Sequence, residues 1–181
     1  MPRLFTGIEI PDDLRRRLSF LRGGLPGARW IDAENYHLTL RFVGDIDLRT
    51  ANEIAEALDR VHRPAFPLII DGLGSFGGRK PHAIIANVRP SRELAELQAE
   101  HERLMQRLGL APETRKFTPH ITLARLRGTS VREAADYLAL RGGFADGPYF
   151  VSRFVLFSAR DAVGGGPYVV EESYPLVARA A

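Results

Sequence analysis

The length, composition and charge of the chain exclude several classes of protein. Its 181 residues, 45% hydrophobic and 26% charged, are typical of one globular domain or of two small lobes that share a core. The absence of cysteine excludes disulfides, zinc–thiolate sites and a thiol nucleophile. No apolar run approaches the roughly 18 residues of a membrane span, so we expect no membrane partner and a cytoplasmic location.

The hydrophobic pattern predicts strands and helices that alternate along the chain. The clearest helix, over residues 91–110, begins at a serine suited to cap it and ends near a glycine. The other predicted helices span residues 11–23, 47–63 and 130–142, and the predicted strands span residues 3–10, 36–44, 66–76, 82–88, 117–126, 149–159 and 168–177.

The order of these elements indicates an internal duplication. Each half runs strand, helix, a strand with the pattern H-x-T-x, helix and strand, although few residues are identical outside that pattern. We predict a bilobal α+β fold with two antiparallel sheets flanked by helices and a central cleft that carries both motifs. Residues 1–181 would form one domain with two pseudo-symmetric lobes, approximately 1–90 and 91–181.

The two motifs read HLTL from residue 37 and HITL from residue 120. Because side chains alternate along a strand, His37 and Thr39 share one face and the aliphatic residues share the other. His120 and Thr122 repeat this arrangement. If the lobes face each other, two imidazoles and two hydroxyls meet at one place.

Such a set of groups suits attack at phosphorus in a cyclic phosphodiester. One histidine can take a proton from water while the other protonates the departing oxygen, and both can do so near neutral pH. Entering and leaving oxygens lie in line, so acid and base should come from opposite walls of the cleft. The threonine hydroxyls can stabilise charge on the phosphate oxygens. This layout requires no metal and no cofactor.

Chance is a poor explanation for the pair of motifs, since average residue usage would produce two copies in roughly one chain in a thousand. The other histidines have simpler explanations that involve no catalytic role. His62 and His101 lie among charged residues in predicted helices and are expected to be solvated, and His82 should be structural or lie at the rim of the cleft. The sequence motifs of zinc proteases, P-loop proteins, α/β-hydrolases and dinucleotide-binding domains are absent.

The paired motifs resemble the 2H phosphoesterase superfamily, in particular its RNA 2′,3′-cyclic phosphodiesterases, historically called 2′-5′ RNA ligases. The similarity covers nearly the whole chain and includes the segments RLFTGIEIP, ARWIDAENYHLTLRFVGDI, RKFTPHITLARL and VSRFVLFSAR. The resemblance implies that His37 is the proton donor and His120 the proton acceptor. It also implies that Thr39, Thr122 and Arg125 bind the phosphate.

Strict alternation raises three questions about neighbouring residues. It turns Arg125 away from His120, so β-structure must end or bulge there if Arg125 is to reach the cleft. It places Arg41 on the face of His37, either as a second phosphate contact or as a rim residue. It also places Phe42 in the core, which leaves Phe5 and Tyr36 as weak candidates for stacking on a base.

The sequence therefore predicts an enzyme that hydrolyses RNA 2′,3′-cyclic phosphate ends to 2′-phosphomonoesters. Its expected partner is RNA with such an end, or a related cyclic nucleotide, and no protein partner is implied. Reversible 2′-5′ RNA ligation would use the same two histidines, and a non-catalytic module that binds RNA ends is a further alternative. The net charge of +3 leaves nucleic-acid binding open, because acidic and basic residues are interleaved.

Overall fold

Strands and helices alternate along the chain, as the sequence predicted. A computed structural model describes residues 2–159 and 166–178. The strands are β1 Arg3–Glu9, β2 Ala28–Trp30, β3 His37–Asp45, β4 Phe66–Phe76, β5 Ala83–Val88, β6 His120–Leu126, β7 Ala145–Val151, β8 Arg153–Ala159 and β9 Tyr168–Pro175. The helices are α1 Asp12–Ser19, α2 Leu48–Leu58, α3 Arg92–Arg107 and α4 Val131–Arg141, and a short 3₁₀ helix spans Ala33–Asn35. The predicted α+β class is confirmed.

All the paired strands run antiparallel and, within the described ranges, belong to one sheet of nine. Its order is β7-β4-β5-β6-β3-β1-β8-β9, with β2 beside β6. The motif strands β3 and β6 are neighbours at the centre, where only Leu38 and Ile121 pair. The two predicted sheets are instead parts of one continuous sheet, in which two four-stranded groups meet at this single residue pair.

Each group of four strands takes members from both halves of the sequence. Strands β4 and β5 of the first half lie between β7 and β6 of the second half, and β8 and β9 join β1 and β3. The two four-stranded groups therefore do not coincide with the predicted lobes, residues 1–90 and 91–181. This exchange interlocks the two repeats, since each completes the sheet of the other.

The four helices cover one face of the sheet because their apolar sides pack on it. Leu38 and Leu40 of β3 and Ile121 and Leu123 of β6 belong to the same buried cluster as helix residues Leu14, Leu18, Ile54, Leu58, Leu94, Leu97, Leu104, Met105 and Tyr137. Side-chain caps fix the starts of three helices: Asp47 on α2, Ser91 on α3, and Ser130 in a capping box on α4. Within the described residues no helix is long and apolar enough to cross a membrane.

The strand predicted over residues 149–159 is wrong in one respect, because it is two strands broken at Ser152. Strand β7 pairs with β4 at one edge of the sheet, whereas β8 pairs with β1 and β9 in the other group. The chain must therefore cross from one group to the other at Ser152. Both pieces have strand-forming sequences, so the local pattern gives no sign of the break.

His101 is also not solvated, contrary to the prediction. It lies in α3 with none of its surface exposed, and its Nδ1 is 2.8 Å from the Thr6 hydroxyl of β1. Its ring packs edge-on against Phe154 at 4.6 Å. The charged neighbours in sequence point elsewhere on the helix, while position 101 falls on its buried side. Burial lowers the pKa of His101 to about 3.

This buried imidazole should make the protein less stable as the pH falls. The unfolded chain takes up a proton near pH 6.5, whereas folded His101 resists it until about pH 3, so stability is complete above pH 6.5 and is lost below it. For His101 alone the loss between pH 6.5 and 4.5 is about 2 kcal/mol. Urea unfolding across this range would measure it, with His101→Gln as the variant that removes this proton. An equally steep pH dependence in His101→Gln would contradict the assignment.

Candidate active site

The two motif strands meet at their first residues and bring all four motif side chains together. One position to either side of the Leu38–Ile121 pair, His37 comes opposite Thr122 and Thr39 comes opposite His120. Beyond this pair the two motif strands separate, while β3 stays paired with β1 and β6 stays paired with β5. The face of the sheet away from the helices therefore opens as a cleft with one H-x-T-x motif on each side.

A backbone carbonyl two residues earlier orients each imidazole. The Nδ1–H of His37 donates to the carbonyl of Asn35 at 2.9 Å, and the Nδ1–H of His120 donates to the carbonyl of Thr118 at 2.6 Å. These bonds leave Nε2 of both rings for other partners. In His37, Nε2 lies 3.0 Å from the Thr39 hydroxyl. The two histidines are thus held in the same way, as the duplication implies.

The surroundings of the two rings differ. The His37 ring is enclosed by aromatic side chains, with centroids 4.9 Å from Phe5, 5.6 Å from Phe157 and 4.7 Å from Tyr168. Among the residues that the structure describes, His120 has one such neighbour, Phe76, edge-on at 4.8 Å. His37 is therefore the more confined of the two.

This difference is reflected in the acid–base properties of the site. Burial lowers the pKa of His37 to about 4, the hydrogen bond to the Asn35 carbonyl opposes the shift, and the nearby charges of His120 and Arg125 add to it. Burial also lowers the pKa of His120, against the effect of the Thr118 carbonyl. Both imidazoles are therefore mainly neutral near pH 7 in the free protein, and a bound anion would raise both pKa values.

A bulge in each motif strand changes which residues face the cleft. The register of β6 on β5 shifts at Leu123, so Arg125 follows Thr122 on the exposed face while Ala124 and Leu126 are buried. The bulge that Arg125 needs to reach the cleft is thus present. The register of β3 on β1 shifts in the same way at Leu40. Phe42 therefore occupies in the first motif the position that Arg125 occupies in the second.

The bulge turns most of Arg41 into the protein, although part of it lines a groove beside Thr39 and Phe42. Arg41 is only 6% exposed and forms an ion pair with Glu102 of α3. It also donates to the carbonyls of Phe42 and Ala111, the latter at 2.6 Å. Glu102 in turn accepts the backbone N–H of Glu113 at 2.9 Å. Arg41 and Glu102 thus anchor the segment 110–119 that leads into His120.

The prediction that Phe5 and Tyr36, and not Phe42, could stack on a base is also wrong. For Phe42 the cause is the same bulge. Phe5 and Tyr36 are 3% and 2% exposed, whereas Phe42, placed in the core by strict alternation, is 45% exposed. Phe42 and Phe76 line a groove of about 480 Å³ that runs along Thr39 and His120. The rim includes His82, as predicted, together with Arg115 and Lys116. A flat apolar ring beside the histidines is a surface on which a base can stack.

The described residues contain no group of three or more histidine, cysteine, aspartate or glutamate side chains that could hold a metal ion. The cations at the cleft are instead side chains of the protein. Arg125 is exposed beside the motifs and its charge acts on His37. The arrangement provides two imidazoles, two hydroxyls and a guanidinium, which together can bind a phosphate and move protons on two sides of it.

Two H-x-T-x strands that face each other, with an arginine beside them, form a site suited to a phosphoester ligand. The family model for LigT-like phosphoesterases matches this chain twice, over residues 8–86 and 85–168. The chain belongs to that family, which is part of the 2H superfamily. The two matches meet at β5, in agreement with the duplication predicted from the order of elements.

Several relatives are named RNA 2′,3′-cyclic phosphodiesterase. One from Aeropyrum pernix is 35% identical over 116 residues, which are 63% of this chain and 65% of the relative, slightly less than two-thirds of its length. One from Escherichia coli is 27% identical over 92% of both chains. The crystal structure of E. coli LigT complexed with 3′-AMP superimposes with a TM-score of 0.77 at 26% identity, over 97% of this chain and 99% of that one.

Proposed function

We propose that this protein hydrolyses RNA 2′,3′-cyclic phosphate ends to 2′-phosphomonoesters by acid–base catalysis with His37 and His120. The observation that carries the proposal is the disposition of the two Nε2 atoms. Both Nδ1 atoms are committed to backbone carbonyls, so proton transfer is left to the two Nε2 atoms on opposite strands of one cleft, where Nε2 of His37 exchanges its contact with the Thr39 hydroxyl for the substrate. The names of the relatives and the 3′-AMP bound to E. coli LigT support a nucleotide phosphate as the ligand.

In the proposed reaction a water molecule attacks phosphorus on the side opposite the 3′ oxygen. His120 Nε2 accepts the proton of this water, the P–O3′ bond breaks, and Nε2–H of His37 protonates the departing O3′. The phosphate remains on O2′. Thr39 and Thr122 donate hydrogen bonds to the non-bridging oxygens, and the guanidinium of Arg125 binds two phosphate oxygens at once.

The product of a short RNA that ends in a 2′,3′-cyclic phosphate tests this function. With EDTA present, we expect complete conversion to the 2′-phosphate, which phosphorus NMR distinguishes from the 3′-phosphate. A 3′-phosphate as the main product would refute the assignment of donor and acceptor but retain the two-histidine cleft. Activity lost in EDTA and restored by a divalent ion would refute metal-independent catalysis.

The lowered pKa values predict an acidic optimum for kcat/KM. The donor must be protonated, so activity falls as the pH rises through its pKa, and the acceptor must be neutral, so activity falls as the pH drops through its pKa. With the pKa of His37 at about 4 and that of His120 lowered, the kcat/KM optimum should lie below pH 6.5. The optimum for kcat should lie higher, because bound phosphate raises the pKa of the donor. Rate profiles with a cyclic nucleotide measure both, and a kcat/KM optimum on the alkaline side of neutrality would contradict this prediction.

The function of Arg125 should depend on the planar, two-donor geometry of its guanidinium and not only on its charge. Arg125→Lys should lower kcat/KM about tenfold and Arg125→Ala about a hundredfold, since two charge-assisted hydrogen bonds are weakened or lost. Arg125→Ala should also raise the pKa of His37, because the guanidinium lowers it in the wild type. An NMR titration of the His37 ring measures that change. An unchanged His37 pKa would show that the guanidinium lies too far away to contact the same phosphate.

A further inference from the structure

The side chain of Asn35 ties the start of β9 to the site of His37. Its Oδ1 accepts the backbone N–H of Tyr168 at 3.3 Å. Gly166 lies directly against the same amide group, because a Cβ at position 166 would clash with Cγ, Nδ2 and Oδ1 of Asn35. Two contacts of different kinds thus hold residues 166–168 against the residue that lies two positions before the first motif histidine.

These contacts bring an aromatic ring onto the imidazole. The Tyr168 ring meets the His37 ring edge-on, with centroids 4.7 Å apart, and meets Phe5 in the same way at 5.2 Å. Tyr168 packs with Phe5, Val155 and Phe157 in a small apolar cluster that is separate from the main core. Tyr168 therefore closes one side of the enclosure in which the His37 ring lies.

The backbone of Asn35 acts on the same ring. Its carbonyl accepts the Nδ1–H of His37 at 2.9 Å, and its own N–H donates to the Asp32 carbonyl at 2.9 Å, which fixes the turn before β3. One residue thus sets both the orientation of the imidazole, through its carbonyl, and the surroundings of the imidazole, through its side chain. Thr118, whose carbonyl orients His120, is itself exposed to solvent.

We propose that Asn35 is a positioning residue for the proton donor: its side chain holds Tyr168 over the His37 ring, which keeps water from the imidazole and directs its Nε2 into the cleft. The inference adds a residue outside both motifs to the site, and it rests on the proposed function for the role of His37 as donor. Sequence reasoning gave Asn35 no role, because its side chain acts on a residue 133 positions away.

Loss of this contact should change two properties of His37. Burial is the main cause of its lowered pKa, so water that reaches the ring beside a displaced Tyr168 should raise that pKa. A ring that is free to turn also presents Nε2 to the departing oxygen in fewer of its orientations, and such misplacement lowers the rate. The pKa can be measured without substrate, whereas the rate depends on catalysis.

Asn35→Ala should raise the pKa of His37 from about 4 to about 5 or above, as measured by NMR titration of its ring. The variant should also lower kcat at its pH optimum about tenfold, with little change in KM, because the phosphate ligands remain in place. Asn52→Ala is the matched control, since Asn52 is exposed on α2, and it should change neither quantity. An unchanged His37 pKa in folded Asn35→Ala would overturn the proposal.

A double-variant comparison distinguishes positioning through Tyr168 from a general structural role. Tyr168→Ala removes the ring itself and should raise the His37 pKa at least as much as Asn35→Ala does. If Asn35 acts through Tyr168, adding Asn35→Ala to Tyr168→Ala should change the His37 pKa and kcat no further. Additive effects of the two substitutions would show that Asn35 acts by another route, and would overturn its role as the residue that holds Tyr168.

Gly166→Ala disturbs the same contact from the side of β9 and keeps the test decisive if Asn35→Ala does not fold. The added methyl group displaces the Asn35 amide, so the His37 pKa should again rise. Circular dichroism shows which variants are folded. Absence of turnover by the wild type on RNA cyclic phosphates would overturn the proposed function, while the pKa measurements would still decide whether Asn35 holds Tyr168 over His37.

Discussion

His37→Ala and His120→Ala should each reduce kcat on an RNA cyclic phosphate by about 10²–10⁴-fold. Each variant removes one of two proton transfers that occur on opposite sides of the same phosphorus. The double variant should lose far less than the product of the two single losses, because members of one catalytic unit are not additive. Steady-state kinetics on purified, folded variants measure all three effects.

His62→Ala serves as the control for these variants. His62 is exposed in the loop between α2 and β4, so its loss should affect neither kcat nor folding. Circular dichroism and thermal unfolding should show that His120→Ala keeps its fold, since its ring borders the open groove. Near-normal turnover by a folded single variant of either motif histidine would contradict two-histidine catalysis.

The confinement of His37 suggests a further comparison between the two variants. His37 is enclosed by Phe5, Phe157 and Tyr168, and Asn35, which accepts its Nδ1–H, also accepts the backbone N–H of Tyr168 through its side chain at 3.3 Å. Removing the His37 ring leaves a gap among these residues, whereas removing His120 exposes Phe76 at the open groove. His37→Ala should therefore lower the melting temperature more than His120→Ala does.

The fold class and the motif residues could be predicted because their signals are local. Alternation placed the histidines and threonines opposite an aliphatic face, and a capping serine marked the start of α3. The cleft followed from the presence of two similar motifs in a duplicated chain. In each case the local preference and the final structure agree, as expected for a sequence that folds to one state.

The errors arise where a contact distant in sequence decides the structure. The bulge at Leu40 moves Phe42 into the cleft and Arg41 into the core, but no glycine or proline marks it in the sequence. Ser152 ends one strand only because β7 and β8 pair in different groups. His101 is buried because Thr6, far away in sequence, supplies its hydrogen bond. Alternation and helical periodicity describe single elements and carry no information about such partners.

The position of Arg41 leads to the second large effect, on stability. Its guanidinium is almost fully buried and links the first motif strand to α3 and to the carbonyl of Ala111. Burial alone would raise the pKa of Glu102, but hydrogen bonds from Gln106, the Glu113 N–H and Arg41 outweigh it and hold that pKa below its usual range. Glu102 is therefore charged at neutral pH, and its carboxylate requires the Arg41 guanidinium as a counter-charge.

Arg41→Ala should lower the free energy of unfolding by about 3 kcal/mol, because it leaves a partly buried carboxylate without its ion pair and two carbonyls without a donor. Arg49→Ala is the matched control, since the Arg49–Glu53 pair on α2 is exposed and should change stability by less than about 0.5 kcal/mol. Urea unfolding measures both variants. Similar losses for the two would show that Arg41 contributes no more than a surface arginine.

Arg41→Ala should also impair catalysis beyond its effect on stability, because the segment it anchors ends at Thr118, whose carbonyl orients His120. We expect kcat to fall more than KM rises, since the displaced group is the proposed proton acceptor and not a proposed phosphate ligand. Glu102→Gln should have the same signature to a smaller extent, because its single amide oxygen can still accept one of the two donors, the Arg41 guanidinium or the Glu113 N–H. An effect of Arg41→Ala on KM alone would instead indicate that Arg41 acts on substrate binding, through the part of it that lines the groove.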